Sequence, residues 1–297
     1  MTYPGITNTS ILAAAGIARF QYAGVNSIGV PLGRTGSLSV GQDAGLSIVK
    51  AVKAFGMGAV QNQRVFSTGD NGRTKYGWSF NSTEIGELAL NFAVMDMNLM
   101  ALGQGISVKE HGDVSIIGLQ TDAPANLGQV CLLGNIDAQD ADTYNGNARW
   151  LNMLIPLTNV SPNFGEHAEA TPMDFPFVGQ PTQTARVPWG ETIASWAVGY
   201  DNAVAFYLTS TNYPLTMHTF VRNASTTTFT LDYKPYGDHT NEQTFHVWNV
   251  TAAGVATKLT PTTDYTVVIS TNTVTLAAAG TSGTSVVVLY EAMDMLG

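Results

Sequence analysis

The chain reads as a mainly β protein with one α-helix and a smaller β-sandwich at its C-terminal end. Three observations lead there: apolar residues alternate at period two over many short runs, Gly, Pro, Asn and Thr break those runs, and a helical recurrence of apolar residues is written only once. The 297 residues, 44% of them hydrophobic, suffice for two cores. Charge is the unusual quantity. Lys, Arg, Asp and Glu make up 12% of the chain, against roughly 25% in an ordinary soluble protein. Small polar residues and glycine take their place. A chain that covers itself so sparingly with ions is expected to meet protein over much of its surface.

In order, residues 1–40 hold apolar runs cut by Gly16, Gly24, Gly29, Gly33 and Gly36, which suits short strands and tight turns; an alternation begins at Ser37, Leu38, Ser39 and Val40. From Gly41 to Thr74 the pattern loosens into a Gly-punctuated segment carrying Lys50, Lys53, Arg64 and Arg73. Asp70-Asn71-Gly72 within it has the composition of a hairpin turn. A long hairpin or arm is expected, re-entering the sheet at Tyr76, Trp78 and Phe80.

Asn81 to Gly105 carries the helical recurrence. Ile85, Leu88, Phe92, Met95, Leu99 and Leu102 fall on one stripe, with Asn81 and Glu84 as a capping pair and Gly103 as a left-handed stop. A second reading fits the same stretch: Leu88, Leu90, Phe92 and Val94 alternate as in a strand that hands over at Asp96, a good N-cap, to a short helix from Met97. On either reading a helix covers Met97 to Leu102. Met95, Met97 and Met100 are packing residues, since Met fills irregular gaps.

Ile106–Leu119 and Gly128–Leu133 read as strands, with Val130, Cys131 and Leu132 in a buried run. Asp137–Asn147 reads as a polar loop and Trp150–Ile155 as a strand. Six prolines from Pro156 to Pro188 forbid a helix and permit edge strands, one of them marked by Met173, Phe175 and Phe177. Residues 198–214 read as a linker between a domain at 1–197 and another at 215–297. In the second domain Phe229–Tyr233, Phe245–Trp248, Tyr265–Ile269, Val274–Leu276 and Val286–Tyr290 are five closely spaced runs, the spacing of a small Ig-like sandwich.

No arrangement of residues points to a reaction or a cofactor. Asp137, Asp140 and Asp142 with Asn145, Gly146 and Asn147 have the wrong register for a calcium loop. His111, His167, His218, His239 and His246 are scattered, and the single Cys131 offers no thiol pair. Glu166, Glu169 and Asp174 lie in the Pro-rich stretch, where an exposed acidic face is the simpler reading than an acid/base pair. A net charge of −9 argues against gripping nucleic acid, which needs cations for its phosphates. Ile11–Ala18 is too short and too glycine-broken for a secretory core or a membrane span, so synthesis in the cytoplasm is expected. The expectation is a structural or binding protein, not an enzyme.

The order of features resembles that of the major tail tube proteins of long-tailed bacteriophages. The likeness covers roughly residues 1 to 195. It rests on a glycine-rich opening that ends in LGRTGSLSV, a long Lys-containing excursion, the YGWSF strand, STEIGELALNFAVMDMNLMALGQG and the Pro-broken MDFPFVGQP. KLTPTTDYTVVISTNTVTLAAAGTSGTSVVVLY resembles the β-sandwich modules that phage tail and decoration proteins append. The resemblance implies a tail-tube-type β-sandwich or barrel flanked by one helix, copies of the chain in hexameric rings stacked into a tube, other tail proteins as partners, and a place in the virion. It also implies an acidic lumen through which DNA passes without specific binding. Lys50, Lys53, Arg64 and Arg73 then belong to an arm that reaches the neighbouring ring. Capsid or decoration protein, and a carbohydrate-binding adhesin using Trp248, are the alternatives from other classes.

Overall fold

The computed structural model describes residues 12–35, 38–49, 52–70, 73–93, 95–106, 108–118, 129–140, 150–162, 175–181, 204–209, 213–236 and 245–295, with the backbone alone over 12–18 and 52–87 and at 35, 138–140, 176, 180, 208 and 209. The first part of the chain gives β1 (Leu12–Gly24), β2 (Asp43–Gly45), β3 (Ser47–Val49), β4 (Val52–Asp70), β5 (Arg73–Phe92) and α1 (Met97–Gly103). It continues with β6 (Lys109–His111), β7 (Val114–Ile116), β8 (Gln129–Asp140), β9 (Trp150–Pro162), β10 (Phe175–Pro181) and β11 (Ala205–Thr209). The last part supplies β12 (Leu215–Val221), β13 (Thr228–Thr230), β14 (Phe245–Val250), β15 (Ala256–Lys258), β16 (Tyr265–Val268), β17 (Thr273–Leu276) and β18 (Ser285–Glu291). The protein is mainly β, and α1 is the one α-helix among the described residues.

One antiparallel sheet runs in the order β3, β1, β8, β9, β10, β5, β4, with β11 joined to β9 beside β10. Its strands alternate between two faces, and each face has its own cover. Tyr22, Leu132, Met153 and Ile155 point to one side, where Leu99 and Met100 of α1 close a core with Phe20, Phe92 and Phe177. Their neighbours Ala23, Cys131, Leu133 and Leu154 point to the other side and pack on Met217, Trp248, Val287 and Leu289. The C-terminal residues form two further sheets, in the orders β15, β14, β18, β12, β2 and β13, β17, β16. Between them lies a third core that includes Phe220, Phe245, Tyr265, Val288 and Tyr290. β18 is buried along its whole length because Val286, Val288 and Tyr290 face that core while Val287 and Leu289 face the large sheet. A strand buried on both sides is an unbroken apolar run, and SVVVLY is one.

Several expectations need correction. Residues 84–92 are strand, so Ile85, Leu88, Phe92, Met95, Leu99 and Leu102 are not one helical stripe: Leu88 and Phe92 are buried from β5, Leu99 from α1, and Met95 between them is 41% exposed. Asn81 and Glu84 lie within β5, and the second reading of the stretch is the one found: the strand hands over at Asp96, the N-cap, whose carboxylate accepts from the backbone N–H groups of Asn98 and Leu99. Gly103 is helical, and the left-handed residue is Gly105 at φ 65°. Gly103 serves closeness instead, because a Cβ there lies 2.3 Å from the carbonyl oxygen of Val160.

In the Gly-rich opening Leu12–Gly24 is one long strand, β1, and the expected tight turns follow it at Gly29 and Gly33, both with positive φ. Asp137–Asp140, expected to open a polar loop, are the last residues of β8, and the rest of that loop lies outside the described residues. The prolines do not confine their segment to edges. β9 is an interior strand that runs through Pro156, and the register against β8 slips there, from Leu132↔Ile155 to Val130↔Thr158. The bulge takes up the missing N–H, and on the other side β11 pairs up to Leu154 and β10 from Thr158. Finally, residues 198–214 contain a strand of the large sheet, β11, and β2 from the N-terminal part is an edge strand of the C-terminal sheet, with Ala44 opposite Thr219. The proposed boundary divides two sequence patterns that share a core.

A buried amide network ties these layers together. The Gln21 side chain donates to Asn135 Oδ1 at 2.7 Å and to the Leu215 carbonyl at 2.8 Å, and accepts from Thr216 Oγ1 at 2.7 Å. Asn135 donates to Asn152 Oδ1 at 2.7 Å, and that oxygen also accepts the Leu215 N–H at 3.1 Å. Gln21, Asn135 and Asn152 are fully buried, and their bonds are mutual, which is the condition under which buried amides hold a core in register.

Candidate assembly interface

The element that sets this fold apart is the hairpin of β4 and β5. β4 ends at Asp70 and β5 starts at Arg73, paired with each other, so two residues separate strands of 19 and 20 residues. Asn71-Gly72 is the pair that favours such a connection. Only the inner end of the hairpin belongs to the sheet, because β10 pairs with β5 from Phe92 to Leu88 and no further. From Glu87 out to Arg73, β5 has β4 as its sole strand partner among the described residues. At about 3.3 Å per residue that free ribbon is roughly 50 Å long, more than the diameter of a small domain.

The root of the ribbon is rigid. Leu88, Leu90 and Phe92 are at most 1% exposed, and the Phe92 ring meets Phe20 and Phe177 edge-on at centroid distances of 6.3 and 5.7 Å. Tyr22 adds a polar tie, its hydroxyl donating to Asp96 at 2.8 Å; burial, then the neighbouring Asp96 carboxylate, push that phenol well above its ordinary range. Where the ribbon leaves the sheet the register slips between Met57↔Leu88 and Ala59↔Ile85, beside Gly56, Gly58 and Gly86. A bulge there increases twist and re-aims the outgoing strands.

Of the residues assigned to the arm, Lys53 lies at the root, at the slip between Val52 and Ala54; Arg64 sits in the ribbon opposite Phe80; Arg73 is at the far end opposite Asp70. Lys50 lies outside the described residues. They are strung along the ribbon and form no cluster. Lys75 is a further cation that the sequence reading did not single out, though its place three residues past Asn-Gly was signal enough. Over the whole free ribbon Arg64, Arg73 and Lys75 are matched by Asp70, Glu84 and Glu87, and the excess of cations is confined to its outer part, Val60 to Thr83, where Asp70 is the one acid. The outer edge of β4 has no strand partner among the described residues, a state that soluble monomers ordinarily avoid.

Other groups weighed in the sequence are structural or lie elsewhere. His218 is 1% exposed; its Nε2 is 3.8 Å from Asp43, its Nδ1 accepts the Asp232 backbone N–H at 3.4 Å, and Arg34 pairs with Asp232. This links the 33–45 segment to the sandwich and admits no substrate. Trp248 is 2% exposed in the core beneath the large sheet, which removes it as a sugar platform. The Cys131 thiol is buried, and burial pushes its pKa up to about 12. Asp137 and Asp140 are on β8, while Asp142 to Asn147, His167, Glu166, Glu169 and Asp174 fall outside the described residues. No group of His, Cys, Asp and Glu suited to a metal ion occurs among the described residues, nor any helix long and apolar enough to cross a membrane. The chain matches no family model and no curated protein sequence.

Proposed function

We propose that this chain is a structural subunit that assembles with copies of itself into stacked hexameric rings, as the tail tube of a long-tailed phage does. The observation that carries the reading is the ribbon of β4 and β5, roughly 50 Å of paired strand with no further strand partner among the described residues. Its backbone edges seek strands, and its basic outer half suits an acidic neighbour. Low charge and the resemblance in element order support the same reading. Other tail proteins are then its further partners, DNA passes along an acidic wall that repels phosphate, and the sandwich faces outward.

Negative-stain microscopy of the purified chain tests this. Rings or tubes are expected from the full chain, and rings or single chains without stacking from a variant in which residues 60–83 are replaced by a tight turn. Tubes of normal length from that variant, or only single chains from the full protein, would overturn the proposal. Reversing Lys50 and Lys53 to Glu is expected to shorten tubes and lower their yield, with the subunit fold intact by circular dichroism.

A further inference from the structure

After α1 the chain turns at Gly105 and makes a second, much smaller projection, the hairpin of β6 and β7. It pairs with no other strand among the described residues, and all six of its strand residues are exposed. Val114 and Ile116 are 59% and 50% exposed. A Cβ added at Gly112, in its turn, or at Gly118, just after it, meets nothing within 4 Å. The finger therefore stands clear of its own subunit, while Ile117 at its base packs against the core under α1. A two-stranded hairpin of this length is marginal in water unless something covers it.

The register decides what each side of the finger shows. His111 is opposite Val114 and Lys109 opposite Ile116, so these four share a face, and Glu110 and Ser115 share the reverse. One face is thus an aliphatic pair flanked by Lys109 and His111. Lys109 is the one cation at the edge of this apolar pair, with Asp113 in the turn and Glu110 on the reverse, and a second copy of the chain, with 22 acids against 13 basic residues, supplies carboxylates for it to meet. A two-fold contact of finger with finger would bring both Lys109 side chains into one apolar patch. We infer that the β6–β7 finger docks, through Val114, Ile116 and Lys109, on a different surface of a second copy of this chain. Such a head-to-tail contact is the kind that closes rings or extends stacks. The inference rests on the self-assembly reading and adds a second contact independent of the long ribbon.

The test compares the full chain with V114S/I116S, with Lys109→Glu, and with Val255→Ser as an exposed control on the sandwich. Sedimentation across a concentration series reads assembly, and hydrogen exchange reads the amides of 109–116. Both test variants are expected to need about tenfold or more higher concentration to assemble, with unaltered melting because the replaced side chains are exposed. Val255→Ser should assemble normally, and the finger amides should exchange about tenfold more slowly in assemblies than in dispersed subunits. Normal assembly of both variants, or finger amides that exchange equally fast in assemblies, would overturn the inference and leave the self-assembly reading standing. The second outcome would hand the finger to another partner. A full chain that never assembles would overturn both.

Discussion

Asn135 shows how much of the interior rests on side chains that a sequence reading assigns to the surface. It accepts from Gln21 and donates to Asn152, so Asn135→Leu should leave buried amide groups of both neighbours short of partners and lower stability by about 1–3 kcal/mol in a urea titration. Gly103→Ala tests a sign. In an exposed helix the change would stabilise by up to about 1 kcal/mol, but the new methyl meets the Val160 carbonyl at 2.3 Å, and thermal melting should show a net loss. Asp43 sets an acid limit. His218 beside it holds its carboxyl below the usual carboxylate range, so the folded value lies under the unfolded one. Its contribution is present above about pH 4 and is lost as pH falls through the folded value. Asp43→Asn should therefore flatten the fall in stability on acidification. More than a third of that side chain is open to solvent, so the difference is small. None of these roles was legible in the sequence, because Gln, Asn and Asp read as turn formers until a fold buries them and supplies partners.

For whole elements the sequence was informative where one period stood alone. Each of the five C-terminal runs contains a strand, though Leu231–Tyr233 and Ile269 fall outside theirs, and the strand over Trp150–Ile155 and the two strands that flank Asn-Gly are where their patterns place them. Ambiguity arose where two periods coincide. A step of four, as from Leu88 to Phe92, suits a helix and a strand equally. Leu90 between them and the partners β4 and β10 decide for strand, and the helix begins only at the Asp96 cap. β11 was hidden in an apolar run without turn signals, and β2 in three residues too few to carry a pattern. Because the outer ribbon has no strand partner in the body among the described residues, removing residues 60–83 should leave the melting temperature of the dispersed subunit unchanged. Phe92→Ala, at its root, should cost about 3–5 kcal/mol.

At the scale of the molecule the two regions of distinct sequence pattern are joined by a common core, a strand exchanged from one to the other and the amide network. Residues 215–297 produced alone would bare Leu215, Met217, Trp248 and Leu289 and lose β2 from the sheet edge. That fragment is expected to bind a hydrophobic dye strongly and to precipitate, whereas a self-sufficient appended module would stay dispersed. The large sheet was foreseeable as a class of structure from alternation and low charge. Its covering by the sandwich was not, because the apolar residues on both faces of β8 look alike in one dimension.

The pairing of Leu12 with Asp140 and of Ala44 with Thr219 also sets a timetable. As the polypeptide leaves the ribosome, its first strands must wait for partners made much later, while the long hairpin needs only its own two halves and can zip up early. The part best suited to catching neighbours is thus ready before the part that must close on itself. Crowded synthesis therefore favours premature tangling, and a helper that shields nascent chains should raise the yield of usable protein more than a slower temperature ramp during refolding.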